Sequence, residues 1–383
     1  MSAEIRPFTL NVPQAELDDL VRRIKATRWP EQEPVGDWSQ GAPLSKVRAL
    51  ADHWASRYDW RRCEAMLNGF GLFKTEIDGV EICFVHRRSP NPDATPLIMT
   101  HGWPGSIVEF HKVIGPLSDP VAHGGRAEDA FHVVAPCLPG YGFSGKPTTT
   151  GWGVPKIAAA WIALMRRLGY SRFVAQGGDW GSAVTTAIGM SGAPEVMGIH
   201  VNMVLGFPAP EDMDNLTAQE KAAIAAFEHY NTWGNGYSQQ QATRPQTLGY
   251  GLADSPVGQA AWIFEKFHEW TDCGGDPLNA LGMDEMLDNI TIYWLTNTAT
   301  SSARLYWESF RNFPNGAVDV PAGCSLFPKE IFSASRRWAE RRFSRLVHWN
   351  ELPKGGHFAA FEQPDLFVAE VRAAFRAVRA AAG

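Results

Sequence analysis

The 383-residue chain predicts an α/β fold: a mostly parallel central sheet flanked by helices, preceded by a helical arm and interrupted late by a helical insertion. Three observations carry this. Short apolar runs at 97–100 and 132–135 are continuous rather than alternating, as strands covered on both faces should be, and further strands are read at 173–176 and 199–204. From Leu216 to about Arg311 the pattern turns helical, opened by the capping-box residues Thr217 and Glu220 and broken by glycine-containing loops. Strand-like runs then return at 323–327 and 346–349, and a closing helix is expected over 366–380.

Taken in order, Leu17, Leu20, Val21 and Ile24 recur at helical spacing after Val12-Pro13, and Trp29-Pro30 ends that segment. Leu44, Val47, Leu50 and Trp54 mark a second helix beyond a proline- and glycine-rich loop at 31–41. Residues 1–70 are therefore expected to be an arm of two helices that wraps a core and does not fold as a separate domain. Strands at 73–77 and 80–85 flank the turn Asp78-Gly79, and Ile157, Trp161, Leu164 and Leu168 stripe a helix that Gly169 ends. The expected division is arm 1–70, first part of the core 71–210, lid 211–315 and second part of the core 316–383.

Composition narrows the function classes. A net charge of -6 with scattered lysine and arginine gives no footprint for nucleic acid or an anionic membrane, so a small neutral substrate is expected. Fifteen tryptophans and twenty-one phenylalanines exceed what folding needs, which suggests an aromatic pocket. Cys63, Cys83, Cys137, Cys273 and Cys324 are odd in number and unpaired in spacing, pointing to buried thiols in a reducing compartment. With neither a signal-like start nor a run long enough to span a bilayer, the expected location is cytoplasmic.

Chemistry concentrates at Gly177-Gly178-Asp179-Trp180-Gly181, where a strand meets a helix-forming segment. A sharp strand-to-helix turn needs small residues two before and two after its tip, and Gly177 and Gly181 supply both. The tip, Asp179, is a residue type ordinarily ionised near neutral pH, suited to attack at saturated carbon without a base. Alone, the stretch also fits a glycine turn with a capping aspartate. Its partners decide. His101-Gly102-Trp103-Pro104-Gly105-Ser106 follows a strand and falls at the same sheet edge, making the Trp103 and Trp180 amides candidates for an oxyanion hole. His357, in Gly355-Gly356-His357-Phe358, comes last in the order nucleophile, acid, base. Glu330 follows a strand and precedes His357, where an acid that orients the imidazole belongs; Asp319 and Glu351 are less well placed alternatives. No G-x-S-x-G occurs, and Ser182 and Ser191 have the wrong neighbours for a serine nucleophile.

With these residues assembled, the chain resembles epoxide hydrolases of the α/β-hydrolase superfamily, in particular the microsomal-type branch with its amino-terminal arm. The likeness rests on Arg28-Trp29-Pro30, the segment 101–106, Pro139-Gly140-Tyr141-Gly142-Phe143-Ser144, the Asp179 turn, Asp254-Ser255-Pro256-Val257-Gly258 and the segment 355–362. It implies an α/β-hydrolase fold and conversion of an epoxide to a vicinal diol through an aspartyl ester. By the same resemblance Tyr237 and Tyr306 in the lid grip the epoxide oxygen, and Trp103, Pro104 and Trp180 line the substrate site. Haloalkane dehalogenases resemble the Asp179 turn too, including its tryptophan, and an inactive binding protein on this fold is a further alternative. Microsomal relatives carry a membrane anchor ahead of the arm; this chain begins at the arm, so no transmembrane anchor is expected. No metal or organic cofactor is expected, the partners being a small apolar epoxide and water. Dimerisation is common among such relatives, which leaves a homodimer open. Trp233, Trp262, Trp294 and Trp307 in the lid hint at a bulky apolar or aryl substrate.

Overall fold

The computed structural model describes residues 4–382 apart from 312 and 314. The arm holds strand β1 (Arg6–Phe8) and helices α1 (Gln14–Lys25), α2 (Leu44–Ser56) and α3 (Trp60–Gly69). The first part of the core follows as β2 (Leu72–Ile77), β3 (Val80–Arg87), β4 (Thr95–Thr100), α4 (Ile114–Ser118), β5 (Phe131–Pro136), α5 (Val154–Arg167), β6 (Phe173–Gly177), α6 (Trp180–Met190) and β7 (Val196–Val201). Between β7 and the next strand come α7 (Ala218–His229), α8 (Gly236–Thr243), α9 (Pro245–Asp254), α10 (Pro256–Trp270), α11 (Met283–Leu295) and α12 (Ala299–Ser309). The chain closes with β8 (Ala322–Leu326), α13 (Arg336–Arg342), β9 (Leu346–Glu351), α14 (Ala359–Glu362) and α15 (Pro364–Ala382).

Among the described residues the strands form one sheet in the order β1-β2-β3-β5-β4-β6-β7-β8-β9. Pairing is antiparallel from β1 through β3 to β5 and parallel across the rest. Parallel pairing places the carboxyl ends of β4 to β9 on one edge, and β4 and β6 sit side by side there, Thr100 opposite Gly177. The loops after β4, β6, β8 and β9 therefore converge. Strands β5 and β6 are buried along their whole length, as their continuous apolar runs require. At the lid's opening, Thr217 Oγ1 accepts the Glu220 N–H and Glu220 Oε2 accepts the Thr217 N–H, the reciprocal cap foreseen there.

The arm differs from expectation. It carries three helices, and its first residues add β1 to the sheet edge, Arg6 opposite Lys74. Three residues of pairing leave too short a pattern to read as a strand in advance. A helix at 60–69 was also missed, because Asp59, which caps it by accepting the Arg61 N–H, stands between two short apolar stretches of mixed polarity. The arm binds the lid as well as the core. Trp54 Nε1 donates to Thr291 Oγ1 at 2.9 Å, Tyr58 Oη donates to Asp288, and Arg62 forks onto the same carboxylate at 2.6 and 2.7 Å. Trp38 stacks on His268, with ring centres 3.9 Å apart. All five cysteines are buried free thiols. No helix among the described residues is long and apolar enough to cross a membrane.

Candidate active site

At the end of β6 the backbone turns through Asp179 at φ 51°, a left-handed value rare for a residue with a side chain. Two contacts explain the flanking glycines. A Cβ on Gly177 would stand 2.1 Å from the Gly181 carbonyl oxygen, and one on Gly181 would stand 1.9 Å from the Thr100 carbonyl oxygen. Helix α6 starts at Trp180, so that amide is a first-turn N–H with no acceptor in its own helix. From the loop after β4, the Trp103 N–H donates to Asp179 Oδ1 at 2.7 Å.

His357 arrives from the loop after β9, with Nε2 3.4 Å from Asp179 Oδ2. On the ring's other side, Nδ1 lies 2.5 Å from Glu330 Oε1, an oxygen that also accepts the Ile331 N–H. This contact makes Nδ1 the protonated nitrogen and leaves Nε2 facing the aspartate. A backbone bridge between Lys329 and Gly356 holds the two loops in register. Burial alone would depress the imidazole's pKa, yet the charges of Glu330 and Asp179 outweigh it and hold His357 well above its ordinary range. The alternatives lie elsewhere: Asp319 accepts from Ser344 Oγ and Glu351 accepts from the Trp349 indole.

The lid contributes both expected tyrosines. Tyr237 on α8 stacks on the Trp103 indole (4.9 Å, 10°), and Tyr306 on α12 meets the Trp180 indole edge-on at 4.8 Å. Their rings are 5.8 Å apart, both are buried, and burial pushes both phenols well above their usual pKa, so they stand as neutral donors. Tyr230 extends the pair, its Oη 3.1 Å from that of Tyr237. Beyond them a cavity of about 570 Å³ is lined by Leu205, Phe207, Tyr230, Phe310, Phe313 and Phe332, with Phe313 stacked on Trp180. Arg341 and Arg342 also line it.

The four lid tryptophans do not line this space. Trp233 is 78% exposed and Trp307 52% exposed, Trp262 donates its indole N–H to Gln241 Oε1, and Trp294 lies under the Arg23 guanidinium. On helices packed on one side only, a one-residue rotation decides between pocket and solvent; Trp307 follows the buried Tyr306 directly and so points away.

Several supporting residues were not foreseen. Asn289 Nδ2 and Tyr293 Oη, both on α11, donate to the carbonyls of Pro104 and Gly105 and pin the loop that carries Trp103. The His357 loop is clasped to the end of α10: the His357 N–H donates to the Trp270 carbonyl, the Gly355 N–H to Asp272 Oδ2, and the Asp272 N–H to Glu362 Oε2. Glu109 lines a small cavity with Asp179, His357, Gln176 and Asn202, and burial raises its carboxyl to a pKa of about 8. Capping-box, turn and apolar patterns are local, whereas these contacts join residues far apart in the chain, so only an acid following the apolar pair Ile107-Val108, namely Glu109, could have hinted at them. His101, by contrast, is structural: buried, lowered to a pKa of about 4 by that burial, and accepting the Leu138 N–H at Nε2. Among the described residues no group of three or more His, Cys, Asp or Glu could hold a metal ion.

Comparison with known proteins agrees with this geometry. Residues 5–110 match the family model "Epoxide hydrolase N terminus" and residues 95–253 match "alpha/beta hydrolase fold". A Stigmatella aurantiaca protein named "Putative epoxide hydrolase" is 57% identical over 98% of this chain and 86% of its own length. Epoxide hydrolase 1 of Oryctolagus cuniculus is 34% identical over 96% of this chain and 88% of its own. The structure of Aspergillus niger epoxide hydrolase superposes with a TM-score of 0.89 at 32% identity, covering 98% of this chain and 97% of that one. In sequence and in fold, this chain belongs to the epoxide hydrolase family of the α/β-hydrolase superfamily.

Proposed function

We propose that this chain hydrolyses an apolar epoxide to a vicinal diol through a covalent ester on Asp179. The observation that carries the reading is the meeting at one sheet edge of a carboxylate, a glutamate-held imidazole and two neutral buried phenols. Trp103 N–H occupies Oδ1, so Oδ2 is the oxygen left to attack a ring carbon. As the carbon–oxygen bond of the ring breaks, Tyr237 and Tyr306 hydrogen-bond the departing oxygen and one of them gives it a proton. An alkyl ester of Asp179 results.

Esterification removes the charge of Asp179, one of the two anions that hold His357 high. The imidazole then gives up its proton more readily, to the phenolate that ring opening left, and a neutral base appears in the step that needs one. Nε2 takes a proton from water, the water oxygen attacks Asp179 Cγ, and the amides of Trp103 and Trp180 hold the oxyanion on Oδ1. Collapse expels the diol oxygen, which takes the second proton of the attacking water, and regenerates the carboxylate with one oxygen from water, while the first proton stays on His357 and restores the resting imidazolium. Pro104 and the two tryptophans form the wall nearest the reacting carbon. A lone monomer and a homodimer both satisfy this chemistry, since each of its parts comes from one chain.

The test is a single turnover of styrene oxide by excess enzyme in oxygen-18 water, with mass spectrometry of the diol and of the peptide containing Asp179. The expected result is an unlabelled first-turnover diol and label in Asp179. A labelled diol with unlabelled Asp179 would mean direct attack by water and would overturn the ester mechanism.

A further inference from the structure

Lys266 has no part in the chemistry so far, yet its position is unusual. It is 3% exposed, on the inward face of α10, four residues before Trp270. Burying an ammonium group is costly unless something compensates. Among the described residues its carboxylate partner is Glu265, 2.9 Å away on a side chain a third exposed. Two aromatic rings also face it: Nζ stands 4.6 Å from the ring centre of Tyr237 and 5.5 Å from that of Trp270. A lysine that served only to fill space would be replaced at lower cost by an apolar chain of the same length.

We propose that Lys266 is an electrostatic positioning residue for the ring-opening step, where its ammonium stabilises the negative charge that Tyr237 acquires on giving up its proton. This rests on the reading of Tyr237 as a proton donor. Before the step, Lys266 faces a neutral ring and gains only the attraction of a cation for a π face. During the step the phenol becomes a phenolate while buried, and the same cation faces a full negative charge. The interaction is therefore stronger in the transition state than in the ground state, which is the condition for accelerating a step. Of the other titratable groups facing Tyr237, Tyr230 and the charge of Asp179 oppose charge on its oxygen, while a hydrogen bond from the Tyr306 phenol favours it. Lys266 supplies the positive charge on that side. No bond is made or broken by the lysine: the proton still passes from Tyr237 to the epoxide oxygen.

The test uses the full chain with Lys266→Met, which keeps the stem and removes the charge, and with Lys266→Arg, which restores it. Stopped-flow single turnovers separate ester formation from ester hydrolysis. Ester formation should slow about tenfold in Lys266→Met, hydrolysis should change less than about twofold, and Lys266→Arg should recover most of the loss. Melting temperature checks that the fold is kept. The decisive arm is the cycle with Tyr237→Phe. Without the phenol, Lys266→Met should cost nothing more in ester formation. An equal loss in both backgrounds, or slowing of both steps alike, would show that the lysine supports only packing and would overturn the proposal. Were Tyr237→Phe itself without effect on ester formation, the donor role would fall first; slowing by Tyr237→Phe but not by Lys266→Met would sink the lysine alone.

Discussion

Asp179 and His357 hang from strand ends of one sheet, whereas Tyr237 and Tyr306 reach the same point from helices joined to the core through side chains. In the first region, position is set by backbone: the φ of 51° at Asp179, the register of Thr100 with Gly177 and the bridge from Lys329 to Gly356. In the second it is set by packing and by the arm, through Trp54 to Thr291, Arg62 and Tyr58 to Asp288, and Trp38 against His268. The contrast teaches that substitutions in the core half should abolish a chemical step while leaving geometry intact. Substitutions at the lid's attachments should instead loosen geometry and act on ring opening by degrees.

The largest expected effect lies in the core half. His357→Gln keeps Asp179 and the tyrosines, so ester formation should continue while hydrolysis falls by roughly 10³–10⁴-fold. Intact-protein mass spectrometry should then find the enzyme heavier by one epoxide after a single turnover. An enzyme that stays unmodified and turns over slowly would show that His357 serves the first step as well, and the division between the two halves would blur.

In the lid half, Tyr237→Phe and Tyr306→Phe should each slow ester formation by roughly 10- to 100-fold, because one donor remains. The double variant should lose about 10³-fold or more, with hydrolysis of preformed ester unchanged. Equal slowing of both steps would mean the phenols hold the lid's shape and not the epoxide oxygen. The proposed asymmetry of roles rests on unequal signals in the sequence. Asp179, His357 and Glu330 were readable because each sits beside glycines or at a strand end, a pattern confined to a few adjacent residues. Tyr237 and Tyr306 came only by resemblance, since Tyr230, Tyr250 and Tyr293 share the lid and helical spacing alone does not choose among them. Tyr250 turns out exposed, and Tyr293 is spent on the Gly105 carbonyl. The arm's grip on the lid was not legible at all: Arg62 and Asp288 are 226 residues apart, and each alone looks like a surface charge.

That grip can be loosened directly. Arg62→Ala leaves the buried Asp288 carboxylate without its guanidinium partner and should cost about 1–3 kcal/mol, less than a fully buried pair because Arg62 is partly in water. Asp288→Asn, which removes the charge rather than stranding it, should cost less. Burial already raises the pKa of Asp288 despite its arginine partner, so neutralising it is the milder change. Both variants should raise KM or slow ester formation while sparing hydrolysis. Thermal melts and single-turnover rates together check this, and a selective loss of hydrolysis would break the proposed link from arm to lid.

The smallest expected effect on activity belongs to the core half and is read through pH. Glu109 has a folded pKa of about 8 against an ordinary 4.5; burial is the main cause, the nearby charge of Asp179 adds to it, and His357 works against it. Between those two values the folded chain keeps a proton that the unfolded chain releases, so this group's contribution to stability is intact below about 4.5 and is lost as pH rises toward 8. Glu109→Gln holds a neutral side chain of the same shape at every pH and escapes that loss. Its melting temperature should match the parent near pH 4 and exceed it by roughly 2–4 °C at pH 8, the gap opening across the window and staying level above it. A gap of constant size at all pH values would mean that Glu109 is solvated and titrates normally, and that the cavity beside Asp179 is wetter than its lining suggests. A gap that opens as described would locate in the core half a cost in stability that the lid half, whose buried acid keeps an arginine partner, does not carry.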